Sequence, residues 1–377
     1  PKLILRQLFA VIFSTTLFLP YLKSQPAEAQ ITRNCHISST AVKKKDKLRL
    51  SAQKGDREAA NRYRQIVRQH SQAVQNCRRR TWPQVQAIWL RLYPCDVKAG
   101  ELDRIMDNVV NKGYNQVYVE TFYDGRVLLP KSSNRTVWPS VIRGKGLENT
   151  DLLAQSIQKG RERGLKVYSW MFTTNFGYTY ARRKDREEAI ARNGKGQTSL
   201  YVVDNGSQVF IDPYNLQAKR DYYQMVTEVM RRRPDGILFD YVRYPRQAGK
   251  DSIATRVTDL WLYSKSTQQA LFQRALNNKG LGLIRLFLRK GYVTSSDIAK
   301  LDKQYPLWQG RTPPIEQKAI SSPQARQPLL QSDLWQLSVA HAMQGILDFV
   351  ALAAYPAQQI GVPAGVVFFP GGNKTVG

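Results

Sequence analysis

The chain has 377 residues, of which 42% are hydrophobic and 10% are aromatic. This composition excludes a chain too polar to form a core, and the length fits one large domain or two ordinary ones. The formal net charge of +28 favours anionic surroundings, namely nucleic acid, anionic lipid or an acidic polymer.

The N-terminus has the order of features that is typical of a secretory signal. Lys2 and Arg6 precede the apolar run LFAVIFSTTLFLPYL, and Ala27-Glu28-Ala29 follows it. The run is short for a membrane-spanning helix and contains Pro20, so an uncleaved anchor is the alternative. We therefore expect residues 1–29 to be a signal peptide and the protein to be exported to the periplasm, the cell envelope or the extracellular space. Nucleic acid is not expected as a partner there.

Three cysteines, Cys35, Cys77 and Cys95, allow three disulfide pairings with one thiol left over. The sequence does not choose among them, although we favour the pairing of Cys35 with Cys77, which would staple the N-terminal segment to itself. None of the three histidines stands at zinc-ligand spacing from a cysteine, so we expect no metal and no cofactor.

Residues 30–82 are predicted to form a basic helical lead-in. Between Ala41 and Arg80 the sequence has 13 Lys or Arg residues and 3 Asp or Glu residues. Apolar or small residues recur at spacings of three and four, at Ala59, Tyr63, Ile66, Val67, Val74 and Cys77. The pattern predicts an amphipathic helix that lies on the main domain. The alternative is peripheral contact of the basic side chains with an anionic cell wall or membrane surface.

After Trp82, predicted strands and helices alternate. In chain order they are the strand VQAIWLRLY, the helix AGELDRIMDNVVNKG, the strand NQVYVETFY, the helix DLLAQSIQKGRERG, the strand LKVYSWMF, the helix YNLQAKRDYYQMVTEVMRRR and the strand that begins DGILFD. Thr150 and Asp212 are the predicted N-caps of the second and third helices. The stretches DFVALAAYP and AGVVFFPGG are predicted as later strands.

The strands predict a parallel sheet covered by helices, because they are apolar on both faces, as in Val117-Tyr118-Val119. No Gly-rich phosphate loop follows the first strand, which argues against an open nucleotide-binding sheet. We therefore predict an α/β fold, a (β/α)8 TIM-like barrel over residues 83–377, with a helical insertion at about 251–340. The end at GGNKTVG leads us to expect a barrel that is incomplete at its C-terminus.

Polar and aromatic residues gather where the predicted strands end. In a parallel barrel these strand ends meet at one face, where chemistry is built. Carboxylates can act on a glycosidic bond, aromatic rings can stack on sugar rings, and arginine can hold a carboxylate or an anionic substrate. The candidate catalytic residues are Asp240, Glu120 and Asp124. The candidate substrate-binding residues are Trp170, Asn175, Tyr241, Arg243, Tyr244 and Tyr123.

The catalytic candidates also have structural interpretations. Asp240 could pair with a neighbouring arginine such as Arg243, and Glu120 could pair with Arg91. Asp124 heads the stretch YDGR, which is typical of a turn.

The segments VYVETFYDGRVLLPKS, GLKVYSWMF, FIDPYN and DGILFDYVRYP resemble, in order and spacing, the glycosyl-hydrolase-like TIM-barrel proteins of bacterial envelopes, cyanobacterial members above all. The wider group is similar to poly-N-acetylglucosamine hydrolase barrels and, more distantly, to α-amylase-like barrels. The resemblance implies an exported glycoside hydrolase that cleaves an envelope or extracellular polysaccharide, with Asp240 at the position of the catalytic aspartate.

The sequence departs from the α-amylase-like pattern at two points. Leu238 stands where those barrels carry an arginine, and no strand-end glutamate follows Asp240 as a general acid. The mechanism therefore stays open between a second carboxylate and a substrate-assisted route. A non-catalytic glycan- or peptidoglycan-binding barrel is the alternative function.

Overall fold

The computed structural model describes residues 35–202, 206, 208–246, 253–306 and 322–368. The predicted signal peptide at residues 1–29 lies outside these residues.

The described strands form one sheet. They are β1 (Ala87–Leu90), β2 (Gln116–Tyr123), β3 (Arg126–Val127), β4 (Lys166–Phe172), β5 (Gly236–Asp240) and β6 (Ala364–Val366). The order across the sheet is β1-β2-β4-β5-β6, and all of these pairs are parallel. The short β3 pairs antiparallel with β2.

Ten α-helices lie in the described part of the chain. They are α1 (Ser39–Gln53), α2 (Arg57–Arg80), α3 (Glu101–Asn111), α4 (Leu152–Arg161), α5 (Gly177–Ala181), α6 (Leu216–Met230), α7 (Lys265–Phe272), α8 (Asn278–Lys290), α9 (Ser295–Gln304) and α10 (Pro323–Gln358). Successive parallel strands are connected through α3, α4, α6 and α10, the last preceded by α7 to α9.

The strand order confirms the predicted α/β class. Each parallel strand lies beside the strand that precedes it in the chain, whereas a doubly wound sheet reverses direction at a switch point. Sequential parallel order with helical crossovers is the winding of a TIM-like barrel. The predicted helical N-terminal region is also present, as α1 and α2.

The two faces of the sheet differ in burial. One face packs against the helices and carries fully buried side chains that include Val117, Val119, Val167, Ile237 and Phe239. Each such burial stabilises the fold by roughly 1.5–3 kcal/mol. The opposite face, called the inner face below, carries larger side chains, most of them only partly buried, although Glu120 is fully buried. By strand register, Glu120, Trp170 and Leu238 lie side by side on this second face.

Two predicted helix starts were wrong by a few residues. The N-cap of α4 is Asp151, whose carboxylate accepts from the Ala154 amide at 2.9 Å, and not Thr150. The N-cap of α6 is Asn215, which accepts from Ala218, and not Asp212. The reason is that Asp212 binds the first turn of α7, where the Thr267 amide donates to it at 3.0 Å.

The prediction of a strand at Asp348–Pro356 was wrong, since this stretch lies inside α10. Phe349, Ala353 and Ala357 are buried on one helix face, and α10 packs on α6. Their spacing of four suits a helix, but a short apolar run does not separate a strand from a buried helix. Among the described residues, α10 is long and apolar enough to cross a membrane, and 44% of its most apolar stretch is buried inside the protein. The last predicted strand is present as β6.

The lead-in forms a helical hairpin, α1 and α2, in place of the single predicted helix. The chain reverses at Gly55, whose φ of 96° is readily adopted only by glycine. A disulfide joins Cys35 to Cys77, as favoured from the sequence, and Cys95 is exposed with a free thiol. The amphipathic prediction is confirmed by the buried side chains of Ala59, Val67 and Val74 on α2.

Candidate active site

The carboxylate of Asp240 is held at the C-terminal end of β5. The indole N–H of Trp170 donates to its Oδ2 at 3.0 Å, and the backbone amide of Tyr241 donates to its Oδ1 at 2.6 Å. The Asp240 side chain is partly buried on the inner face of the sheet, next to Phe172 by register. Both donors fix the orientation of the carboxylate, and the charge of Arg243 lies within electrostatic reach of it.

The backbone directly after Asp240 is strained. Tyr241 has a φ of 53°, in the left-handed region that a bulky aromatic residue rarely adopts. The end of β4 holds this conformation, because the Thr173 amide donates to the Asp240 carbonyl at 2.7 Å and the Thr174 hydroxyl donates to the Tyr241 carbonyl. Such strain costs on the order of 1–3 kcal/mol and is concentrated at functional sites in proteins.

Glu120 lies on the same face of the sheet and is fully buried. Its two carboxylate oxygens accept from Nε and Nη2 of Arg91. The pairing of Glu120 with Arg91, which was the structural interpretation of Glu120 in the sequence, is therefore present. Burial raises the pKa of Glu120, the Arg91 guanidinium opposes that rise, and the charges of Asp124 and Asp240 add to it. Because the charge of Asp240 raises the pKa of Glu120, these two carboxylates are close enough to interact electrostatically.

Asp124 is the accessible carboxylate of the group, with 42% of its side chain exposed. Asp124 and Gly125 have φ values of 46° and 68° and connect β2 to β3 in a two-residue hairpin, which confirms the predicted turn. The Asp124 carboxylate lies 4.0 Å from Nη1 of Arg91. Arg91 therefore contacts both Glu120 and Asp124.

Aromatic rings and one arginine lie beside these carboxylates. The guanidinium of Arg243 lies 4.7 Å from the centre of the Tyr241 ring and 5.3 Å from that of Phe210. Burial lowers the pKa of Arg243 to about 10. The Tyr241 ring packs on Phe172 with centroids 4.1 Å apart. Tyr123 lies under Arg91, and its hydroxyl donates to the Leu92 carbonyl.

Three of the predicted substrate-binding residues are buried in the structure: Tyr123, which contacts Arg91, and Asn175 and Tyr244. The side-chain oxygen of Asn175 accepts from the backbone amides of Val209 and Gly177, so it braces the loop that follows β4. Tyr244 is 3% exposed and lies in the second apolar cluster, among the residues of the helical insertion. Asn175 and Tyr244 therefore lie apart from the exposed edge of the candidate site. The structure brings the other predicted site residues together, namely Asp240, Glu120, Asp124, Trp170, Tyr241, Arg243 and Tyr123.

Sequence reasoning missed Trp89 and Phe172. Trp89 is 52% exposed on β1, and its ring centroid lies 6.1 Å from that of Trp170. Phe172 lies between Trp170 and Tyr241. The alternation of side chains along a strand was the available signal, since it places Trp89 on the same face as Arg91 and Phe172 on the same face as Trp170.

No group of three or more His, Cys, Asp or Glu side chains that could hold a metal ion occurs within the described ranges.

A sequentially wound parallel α/β sheet with carboxylates and aromatic rings at its strand ends is the architecture of a TIM-like barrel protein, and side chains of these types can act on sugars. A model of the family described as glycosyl hydrolase-like 10 matches residues 84–282, just over half of the 377-residue chain. The chain belongs to this glycosyl hydrolase-like family. A search of the curated proteins found no match.

Solved structures similar to this chain include a hypothetical protein from Ruminiclostridium thermocellum ATCC 27405, with 16% identity, a TM-score of 0.32, and coverage of 42% of this chain and 78% of that one. A β-galactosidase from Marinomonas ef1 has 13% identity and a TM-score of 0.36, and the match covers 73% of this chain and 35% of that one. The α-L-fucosidase isoenzyme 2 from Paenibacillus thiaminolyticus has 12% identity and a TM-score of 0.36, and the match covers 75% of this chain and 32% of that one. This chain therefore spans about a third of the length of both glycosidases.

Proposed function

We propose that this protein is a glycoside hydrolase that cleaves an envelope or extracellular polysaccharide, with Asp240 as its catalytic carboxylate. The observation that carries the proposal is the fixed orientation of Asp240 at a strand end, between the Trp170 indole and the Tyr241 amide. A carboxyl group acts on a glycosidic bond only when it is aimed at the anomeric carbon, at the leaving oxygen or at the group that attacks the anomeric carbon.

The second carboxylate of the proposed reaction is Asp124. It is exposed, whereas Glu120 is fully buried and bound by Arg91 through both oxygens. In this assignment Glu120 positions Arg91, and Arg91 in turn holds Asp124 toward the exposed edge. Asp240 is then the nucleophile, or it assists an internal group of the substrate, while Asp124 donates a proton to the leaving oxygen and afterwards removes one from the attacking water.

The aromatic side chains of the inner face supply the proposed sugar platform. Trp89 and Trp170 lie on adjacent positions of the sheet surface, and both have accessible ring area. Flat apolar rings pack against the C–H faces of sugars, and the indole N–H of Trp89 offers a donor to hydroxyl oxygens. A polymer of sugar rings matches a row of rings better than a small metabolite does.

Export is part of the proposal and has two supports. Residues 1–29 carry the features of a secretory signal. The Cys35–Cys77 disulfide suits an oxidising compartment, since such bonds are rare in the cytosol.

The test is release of reducing ends from a panel of envelope and extracellular polysaccharides by the wild-type protein, the Asp240→Asn variant and the Asp124→Asn variant. Release that is lost in Asp240→Asn and strongly reduced in Asp124→Asn supports the assignment. Full release by Asp240→Asn contradicts it. If Glu120→Gln abolishes release while Asp124→Asn does not, the roles of the two second carboxylates are exchanged.

A non-catalytic glycan-binding barrel is the second candidate function. The observation that favours it is the ion pair of Glu120 with Arg91, which occupies the other inner-face carboxylate near Asp240. Saturable binding of a polysaccharide with no release by the wild-type protein would support this candidate and reject the first.

A further inference from the structure

The hairpin of α1 and α2 presents a dense basic surface. Of the 13 Lys and Arg residues between Ala41 and Arg80, three are buried, namely Lys45, Arg49 and Arg78. The other ten are exposed, and they are Lys43, Lys44, Lys47, Lys54, Arg57, Arg62, Arg64, Arg68, Arg79 and Arg80. The charge is therefore concentrated on the solvent side of the hairpin and is not used up in packing.

The three carboxylates of the same segment already have partners. Glu58 pairs with Arg62, Asp46 lies 3.6 Å from Arg49, and Asp56 caps the first turn of α2 by accepting from the Ala59 amide. Among the described residues, the other exposed cations of the hairpin form no ion pair with these three carboxylates.

One line of side chains along α2 has the spacing of a continuous stripe. Its members follow one another at intervals of three and four residues, and all are exposed: Arg57, Asn61, Arg64, Arg68, Gln72, Gln75 and Arg79. The stripe is about 33 Å long at the rise of an α-helix. Asn61 and Asn76 accept from the guanidinium groups of Arg64 and Arg79, which limits the freedom of these two arginines.

The hairpin is firmly attached, at the end of the sheet opposite Asp240. Arg78 donates to the Gly113 carbonyl at 2.8 Å, and Gln75 donates to the Gly164 carbonyl. Gly113 and Gly164 stand in the turns that enter β2 and β4, whereas Asp240 stands where β5 ends. Because the strands are parallel, the hairpin and the candidate active site lie at opposite ends of the same sheet.

A buried ionic cluster adds to this attachment. Asp107 on α3 accepts from Nε of Arg163 at 2.9 Å and from the Tyr63 hydroxyl at 2.7 Å, and it lies 3.5 Å from Nζ of Lys45. Lys45 is on α1, Tyr63 is on α2 and Arg163 follows α4, so one carboxylate joins both hairpin helices to the barrel. A ligand bound to the hairpin would therefore orient the whole protein.

The side chains of the stripe match an acidic polysaccharide better than other polyanions. Guanidinium groups bind carboxylates, sulfates and phosphates through paired hydrogen bonds, and the interleaved amides of Asn61 and Gln72 can bind hydroxyl groups. Leu50 is the one large apolar side chain exposed on the described hairpin helices, which leaves little to insert into a lipid surface. Tyr63, the aromatic residue of the hairpin, is engaged with Asp107 and does not offer a ring for base stacking.

We propose that the exposed face of α1 and α2 is a docking surface for an acidic polysaccharide. Docking there leaves the strand ends that carry Asp240 pointing away from the bound polymer. The surface is thus an anchor that is separate from the proposed catalytic site, and the inference does not depend on whether that site hydrolyses a glycan.

The experiment measures binding of the full chain to polygalacturonate, with neutral dextran, anionic phospholipid vesicles and single-stranded DNA as comparison ligands. The test variant is the triple substitution Arg57→Gln, Arg64→Gln and Arg68→Gln. The matched control removes three exposed cations from the helical insertion, by Arg289→Gln, Lys300→Gln and Lys303→Gln. A thermal melt of each variant confirms that it is folded.

We expect polygalacturonate to bind in a salt-sensitive manner and dextran not to bind. The test variant should bind polygalacturonate about tenfold more weakly, because three exposed ion pairs of ordinary strength together amount to about one decade in affinity. The control variant should bind like the wild type. Equal weakening in both triple variants, or tighter binding of the vesicles or the DNA than of polygalacturonate at the same salt concentration, would overturn the proposal.

Discussion

His341 on α10 gives the structure a defined sensitivity to acid. Its ring is 1% exposed, with Nδ1 at 2.7 Å from Nε of Arg274 and Nε2 at 3.0 Å from the Thr267 carbonyl. Arginine only donates, so Nδ1 is the unprotonated acceptor and Nε2 carries the hydrogen that Thr267 accepts. Burial lowers the pKa of His341 from 6.5 to about 4, the Thr267 carbonyl opposes this change, and the charge of Arg274 adds to it.

The direction of the effect follows from proton linkage. The unfolded chain binds a proton at this histidine near its ordinary pKa of 6.5, but the folded chain does so only near about 4. The stability that neutral His341 provides is therefore fully present above pH 6.5 and is lost as the pH falls toward about 4. At about 1.4 kcal/mol for each unit of pKa, the full loss is about 3 kcal/mol.

The assay is urea denaturation of the wild type and of His341→Gln at several pH values between neutrality and about pH 4. Glutamine offers an acceptor and a donor but does not titrate, so the free energy of unfolding of the wild type should fall by up to about 3 kcal/mol more than that of the variant. The variant His36→Gln, at an exposed histidine, is the control and should follow the wild type. A difference between wild type and His341→Gln that stays constant with pH would refute the reasoning.

Two further predictions follow from the hairpin attachment and the candidate site. Asp107→Asn removes the buried carboxylate that Lys45 and Arg163 share and should lower the free energy of unfolding by about 3–5 kcal/mol, whereas Asp103→Asn, at a more exposed partner of Arg163, should cost about 1 kcal/mol or less in the same urea titrations. Equal losses would contradict the cluster. Trp170→Phe removes the donor to Asp240 but keeps a ring, so kcat on a cleaved polysaccharide should fall at least about tenfold with little change in KM, while Trp89→Phe should act mainly on KM. An effect of Trp170→Phe on KM alone would count against positioning of Asp240.

Much of the fold was predictable because it depends on local pattern. Doubly apolar stretches such as Val117–Val119 marked the parallel strands, and the turn chemistry of Asp124-Gly125 marked the hairpin between β2 and β3. The run from Asp348 was misread as a strand because the apolar residues that follow Asp348 satisfy the composition of either structure. Its helical nature depends on packing against α6, which the sequence does not display.

The details of the site depend on contacts between distant residues. The Trp170 indole reaches Asp240 across 70 positions, and the register of β4 with β5 decides this contact. Asp212 was expected to cap the nearest helix, but its partner Thr267 lies 55 residues away. The left-handed backbone of Tyr241 has no sequence signal, since tyrosine is not favoured there.

The central claim is that Asp240 acts on the glycosidic bond, and the two aspartates that flank β5 allow a direct test. Asp235, at the opposite end of the strand, accepts from the Val167 amide at 2.8 Å and from Arg161 at 3.1 Å, so its contacts are structural. The measurement compares kcat for polysaccharide cleavage by Asp240→Asn and by Asp235→Asn, each folded by its thermal melt. We predict a loss of about 10³-fold or more for Asp240→Asn and near wild-type turnover for Asp235→Asn. Equal turnover in the two variants would contradict the catalytic assignment of Asp240.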